Sequence, residues 1–195
     1  MLEDKRIKKT KIILKHTLIS LLEEKTFEKI TVKELCDRSD TSRITFYNHY
    51  NDKYELIDEI FQDFIGEVVI ESQPCNNVLE EYVSGLCNLL ECNIKKMDDN
   101  RNFFSHLTPE ENPYPSYALN NYLKKQLDLY IKHFNEDNRI NFNYPSNKIS
   151  SFLYHGMSAF IIESIHQKRT VEETSAEAKN LLTKLINSEI FMKKI

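Results

Sequence analysis

Between Thr31 and Lys53 the chain carries three helix-start signals in close succession, and together they allow little besides short helices separated by tight turns. Thr31 followed three residues later by Glu34 has the form of a capping box, with the threonine oxygen accepting from the Glu34 N–H and the carboxylate reaching back. Val32, Leu35 and Cys36 then form one apolar stripe, which stops at Arg38-Ser39-Asp40, residues that favour turns over helix interiors. Thr41 or Ser42 caps a second helix, whose inward face is Ile44, Tyr47 or Phe46, and Tyr50. Asp52 and Glu55 cap a third.

That arrangement leaves Ser42, Arg43, Thr45 and His49 pointing outward or obliquely, a face of hydroxyls and an arginine that suits a helix lying in the DNA major groove. Lys53 falls in the first turn of the helix that follows, where a cation opposes the helix dipole. A phosphate at this helix start would reconcile the placement, because free backbone N–H groups and a lysine then converge on one anion.

These residues resemble the TetR/AcrR family of bacterial transcriptional regulators. The resemblance lies in Thr31, the run Ser42-Arg43-Ile44-Thr45-Phe46-Tyr47, then His49-Tyr50 and Lys53, and it covers roughly the first third of the chain. It implies that Lys33, Ser42, Arg43, Ile44, Thr45, Tyr47, His49 and Lys53 face double-stranded DNA. Two departures stand out. Asp40 takes the place of a turn glycine and adopts the left-handed conformation at modest cost, and Ile44 replaces a small residue, which shifts the helix outward or meets a thymine methyl.

Only three glycines in 195 residues, and no alternating β-branched run, point to an all-α protein. The resemblance divides it into a three-helix helix-turn-helix head over residues 1–53 and a helical regulatory and dimerisation body over 54–195. Charge agrees with that division. Residues 1–55 hold 12 Lys+Arg against 10 Asp+Glu, and the remainder holds 14 against 20, a basic front on an acidic back. Lys5, Arg6, Lys8, Lys9 and Lys11 read either as a solvated tail or as an arm along the phosphate backbone. Ile12, Ile13, Leu18, Ile19 and Leu22 mark a first helix that ends near Lys25.

In the body, Leu56, Ile57, Ile60, Phe61, Phe64 and Val68 predict a fourth helix from Asp52 to about Ser72, broken by Pro74, with a fifth capped at Asn76 or Asn77. A short apolar turn at Phe103, Phe104 and Leu107 interrupts a polar segment closed by Pro113 and Pro115, and a seventh helix is expected from about Ser116 to Phe134. Residues 135–144 are an asparagine-rich connector. The eighth helix, from Pro145 to His166, is apolar on too much of its surface to be covered on one side alone. Thr170 and Glu173 form a second capping box that opens a final helix.

The resemblance implies a four-helix dimer interface from these last two helices, for which Gly156, Ala159, Ile162, Ala178, Leu181, Leu182 and Leu185 are the candidates. It also implies a palindromic operator, and an effector pocket in the body whose occupation tilts the fourth helix and changes the spacing of the two heads. Phe61, Phe103, Phe104, Tyr122, Phe152 and His155 are candidates for that pocket, which would then take a small apolar or aromatic molecule. The alternative is a body that binds a protein partner, in a regulator or activator of the same kind.

The sequence shows no catalytic or cofactor-binding motif, and its six histidines have no metal spacing, so no enzyme activity, cofactor or metal is expected. Cys36, Cys75, Cys87 and Cys92 lack Cys-x-x-Cys spacing and read as reduced, buried thiols of a cytoplasmic protein with no membrane span or signal peptide.

Overall fold

The computed structural model describes residues 5–66, 78–136, 142–188 and 190–191. Within them the order is α1 (Lys5–Glu24), a 3-10 turn (Phe27–Lys29), α2 (Val32–Arg38), α3 (Arg43–Tyr47), α4 (Lys53–Gly66), α5 (Val78–Asp99), α6 (Arg101–Ser105), α7 (Pro113–Glu136), α8 (Ser146–His166) and α9 (Val171–Asn187). No strand occurs among the described residues, so the fold is all-α. The expected stretch of α4 to Ser72 with Val68, the break at Pro74, the cap at Asn76 or Asn77, Cys75 and most of the asparagine-rich connector lie outside them.

Two compact units are present: Met1–Phe64 with Asn100–Asn120, and Ile65–Asp99 with Asn121–Ile195. Residues 1–53 lie wholly inside the first.

The first unit is built around the buried residues Leu14, Leu18, Leu21 and Leu22 of α1, which meet Leu35 and Cys36 of α2, Phe46, Tyr50, and Leu56, Ile57, Ile60 and Phe61 of α4. Ile12 and Ile13 are exposed, since the buried spacing runs through Leu14, Leu18, Leu21 and Leu22. Lys11 and Lys15 of α1 pair with Glu59 of α4 at 3.2 and 2.6 Å, and Lys15 also reaches Asp63.

Two polar devices hold the 3-10 turn. The Lys53 ammonium donates to the carbonyls of Phe27, Glu28 and Ile30 at 2.7, 3.3 and 2.9 Å, and sits 4.5 Å from the centre of the Phe27 ring. Asn112, buried, accepts the Phe27 N–H at 2.5 Å and donates to the His106 carbonyl at 2.7 Å. Tyr114 then stacks on Phe27 and donates to Asp58, while Phe103 stacks on Phe64. Residues 100–120 are thereby part of the first unit's core. Helix α7 begins at Pro113, ahead of the expected Ser116, because both prolines fall in its first turn, where an N–H has no intrahelical partner to lose.

The second unit packs α5, α7, α8 and α9 around Tyr82, Leu86, Tyr130, Ile131, Phe134, Ile149, Leu153, Leu182 and Ile186. Tyr130 donates to the Tyr82 carbonyl at 3.0 Å, and it reaches that carbonyl across Gly85, where a Cβ would collide with its hydroxyl. The predicted capping box at the start of α9 is present in both directions, between Thr170 and Glu173. Cys36 and Cys87 are buried thiols, but Cys92 is exposed, on the outer side of α5.

Three substitutions test these constraints by urea denaturation without DNA. Gly85→Ala displaces Tyr130 and should destabilise by about 1–3 kcal/mol. Asn112→Ala strips a buried N–H of its acceptor and should cost about 1–3 kcal/mol. Lys53→Met leaves three carbonyls without their cation and should cost roughly 1–2 kcal/mol; unchanged stability would show that these carbonyl contacts contribute nothing.

Candidate nucleic-acid interface

The turn and the two helices around it are set by local chemistry. Thr31 caps α2 by accepting from the Glu34 N–H at 3.2 Å, but the Glu34 carboxylate does not reach back. It pairs with Lys25 at 2.5 Å, so half of the expected capping box is replaced by an ion pair to the end of α1. Arg38 is held by both carboxylate oxygens of Glu24 at 2.6 and 2.7 Å, a two-point contact that also keeps the Glu24 carboxyl below the usual carboxylate range. The chain then reverses at Asp40, whose φ of 49° is the left-handed conformation expected where a glycine would be usual.

Ser42 caps α3, accepting from the Thr45 N–H at 3.0 Å, and its hydroxyl also contacts the Thr45 hydroxyl at 2.8 Å. Both oxygens expected to face outward thus serve the helix start first. Asp52 accepts the Glu55 N–H at 2.9 Å, and Glu55 reaches back to the Asn51 N–H at 2.7 Å.

The inward face of α3 is narrower than the sequence implies. Phe46 and Tyr50 are 0% and 2% exposed, whereas Ile44 is 77% and Tyr47 56% exposed. Ile44 and Tyr47 therefore project outward together with Arg43, since a helix turns one face only to the core and Phe46 occupies it. Burial pushes the Tyr50 hydroxyl well above the usual tyrosine value, aided by the nearby carboxylate of Glu59. Lys33, in the first turn of α2, is exposed, and neither it nor Arg43 has an ion-pair partner among the described residues. His49 is half-buried.

Lys53, expected to face a phosphate, has partners within the chain. Its three donors are spent on the carbonyls of the 3-10 turn, and burial lowers its pKa below the usual lysine value. Its place at the head of α4 is therefore compensated within the chain. Asn48, the C-cap of α3, shares the Ile44 side of this helix. It is exposed one turn beyond Ile44, and the i, i+4 spacing from that residue is the signal for it in the sequence.

The other candidates separate into two sets. Phe61 and Phe103 are buried in the first unit and Phe104 is partly buried, within the ring cluster of α4 and α6. Tyr122 is half-buried, and Phe152 and His155 are exposed on α8. None of the six lines the cavity in the second unit, of about 100 Å³, whose wall includes Leu90, Asn93, Leu127, Tyr154, Ser158 and Ile161.

Of the helix-pair candidates, Ala178 and Leu182 are buried in the unit's own core and Leu185 packs against it. Gly156, Ala159, Ile162 and Leu181 are exposed, and nothing among the described residues lies within 4 Å of a Cβ built at Gly156. Among the described residues, Phe152, Gly156, Ala159 and Ile162 leave one face of α8 open to solvent, with the Phe191 ring beside Phe152. Among the described residues no helix is long and apolar enough to cross a membrane, and no three His, Cys, Asp or Glu residues are grouped to hold a metal ion.

Comparison with known proteins bears on this geometry. Residues 16–60 match the profile described as bacterial regulatory proteins, tetR family. The uncharacterized HTH-type transcriptional regulator YxbF of Bacillus subtilis (strain 168) is 32% identical over 92 residues, covering 45% of this chain and 24% of YxbF. The match thus spans about a quarter of that relative's length. In fold, the chain is similar to a putative TetR-family transcriptional regulator from Syntrophomonas wolfei str. Goettingen, with a TM-score of 0.70 at 13% identity over 93% of this chain and 96% of that one. It is also similar to the dihydroxyacetone kinase operon activator DhaS, with a TM-score of 0.56 at 20% identity over 94% and 98%. The matched profile lies over the residues that build α2 and α3, and the likeness in fold to a TetR-family regulator extends over nearly the whole chain.

Proposed function

We propose that the chain is a homodimeric, sequence-specific DNA-binding transcriptional regulator of the cytoplasm, acting as a repressor that a small-molecule effector releases. The observation that carries this reading is the outer face of α3, where Arg43, Ile44 and Tyr47 stand exposed on a helix fixed from behind by Phe46 and Tyr50. A short helix held so that its apolar and basic residues meet solvent is suited to the major groove: the arginine reads guanine, the isoleucine meets a thymine methyl, and Asn48 at the helix end suits adenine. Lys33 adds a phosphate contact, with Ser42, Thr45 and His49 at the edge.

The uncovered face of α8, with Phe152, Gly156, Ala159 and Ile162, and Leu181 of α9, is the proposed dimer surface. Two recognition helices related by that dimer enter successive major grooves about 34–36 Å apart. The cavity in the second unit is the proposed effector site. Weakening operator binding a hundredfold requires roughly 2.7 kcal/mol of coupling between effector and DNA. The fold itself is compatible with the opposite sign of control, since DhaS is named as an operon activator.

The reading is tested by fluorescence anisotropy on labelled DNA from upstream of the protein's own coding region, at several salt concentrations. Tight, salt-sensitive binding that resists random competitor DNA is expected. Arg43→Ala should cost about 1–3 kcal/mol for its base contact and relax discrimination at that base pair; unaltered discrimination would remove Arg43 as a base reader. Ile162→Glu should convert the dimer to monomer in sedimentation, weakening self-association by at least about tenfold, the equivalent of about 1.4 kcal/mol. A variant that sediments as the wild type would place the interface elsewhere.

A further inference from the structure

Taking the cavity of the second unit as the effector site, as proposed above, we infer that its ligand is an electrically neutral, largely apolar small molecule bearing one hydroxyl or carbonyl group.

Size comes first. The cavity is about 100 Å³, smaller than the engineered apolar cavity of about 150 Å³ that admits benzene, so a ring enters it only as the wall yields. Met97 and Met157 in the wall are unbranched and adaptable, which lets a single ring enter. Charge comes second. The wall is made mainly of leucine, isoleucine and methionine from α5, α7, α8 and α9 and contains no Asp, Glu, Lys, Arg or His. A carboxylate or ammonium entering it would lose its water and find no counter-ion.

The polar groups come third. Asn93 of α5 donates to Gln126 at 3.4 Å, a long contact that uses one of its two N–H groups and leaves its carbonyl oxygen as an acceptor. On α8, Ser158 hydrogen-bonds the Tyr154 hydroxyl, and burial holds that tyrosine above its usual pKa, so it is neutral at physiological pH. A pure hydrocarbon offers these groups nothing. A hydroxyl can donate to Asn93 or accept from the Tyr154 and Ser158 pair, and a carbonyl can accept from either.

The test uses the full chain in thermal unfolding and calorimetric titration with phenol, benzyl alcohol, toluene, benzoate and benzylamine at neutral pH. Phenol and benzyl alcohol should raise Tm saturably, toluene should bind about three- to tenfold more weakly, and the two ions should give no shift. Ile161→Phe fills the cavity and should abolish the shift. Ser158→Ala should weaken benzyl alcohol about three- to tenfold and leave toluene unchanged, which a merely structural role would not do.

Benzoate or benzylammonium binding as tightly as benzyl alcohol, and losing that binding in Ile161→Phe, would overturn the ligand class while sustaining the cavity as a binding site. No shift with any of the five would also overturn it. Saturable binding of the two alcohols without any change in operator affinity would sustain the ligand class and overturn the effector role.

Discussion

Helix α3 has only five residues, and a helix of that length has no stability of its own, because the nucleation of its first turn is never repaid by propagation. Its conformation is imposed by its neighbours. Ser42 supplies the cap, Asp40 the left-handed reversal before it, and Phe46 and Tyr50 the buried anchors, each worth about 1.5–3 kcal/mol of burial. The exposure of Arg43, Ile44 and Tyr47 follows from that anchoring as a geometric necessity. The apolar outer residues cannot turn inward without expelling an aromatic ring. What a surface helix usually spends on covering its own apolar groups is here left available to a partner.

The same economy governs the 3-10 turn behind α3. Three of its carbonyls and one N–H point where no helix continues, and their partners come from far along the chain: Lys53 for the carbonyls and Asn112 for the Phe27 N–H. The Asn112 contact spans 85 positions, so the first unit is not complete until residues 100–120 have been added to it. Tyr114 reinforces the join by stacking on Phe27 while donating to Asp58, whose own carboxyl is raised by burial. A head read as residues 1–53 alone therefore lacks Asn112, the group that satisfies its Phe27 N–H.

That difference marks what the sequence could reveal. Caps act over three residues, so Thr31, Ser42, Asp52 and the Thr170 with Glu173 pair were legible, as was the left-handed Asp40. Contacts over tens of residues leave no local trace. Nothing near Lys53 announces that its donors will be taken by residues 27–30, and nothing near Glu34 announces Lys25 as its partner. For a related reason the sequence does not distinguish pocket rings from packed ones: Phe61, Phe103 and Phe104 pack against one another in the first unit. The cavity arises instead among leucines, where branched side chains from several helices fail to interdigitate fully. Periodicity identified those leucines as interior but carried no information on how well they fill space.

Helix α8 shows how both faces of an apolar helix acquire meaning. Ile149, Leu153 and Met157 recur every four residues along its buried side, while Phe152, Gly156, Ala159 and Ile162 run along the exposed one. A contiguous apolar stripe left to water is uncommon on a monomer, and an identical stripe on a second copy covers it symmetrically. Between the two faces, Tyr154, Ser158 and Ile161 line the cavity. In the proposed regulator, one rigid helix therefore touches the partner subunit and the ligand at once. A ligand of single-ring size binds with at most about 1.5 kcal/mol per non-hydrogen atom. The roughly 2.7 kcal/mol needed for a hundredfold release is then a fraction of its binding energy. A small neutral molecule is sufficient to drive the switch, provided that the cavity differs in shape between the DNA-bound and released states.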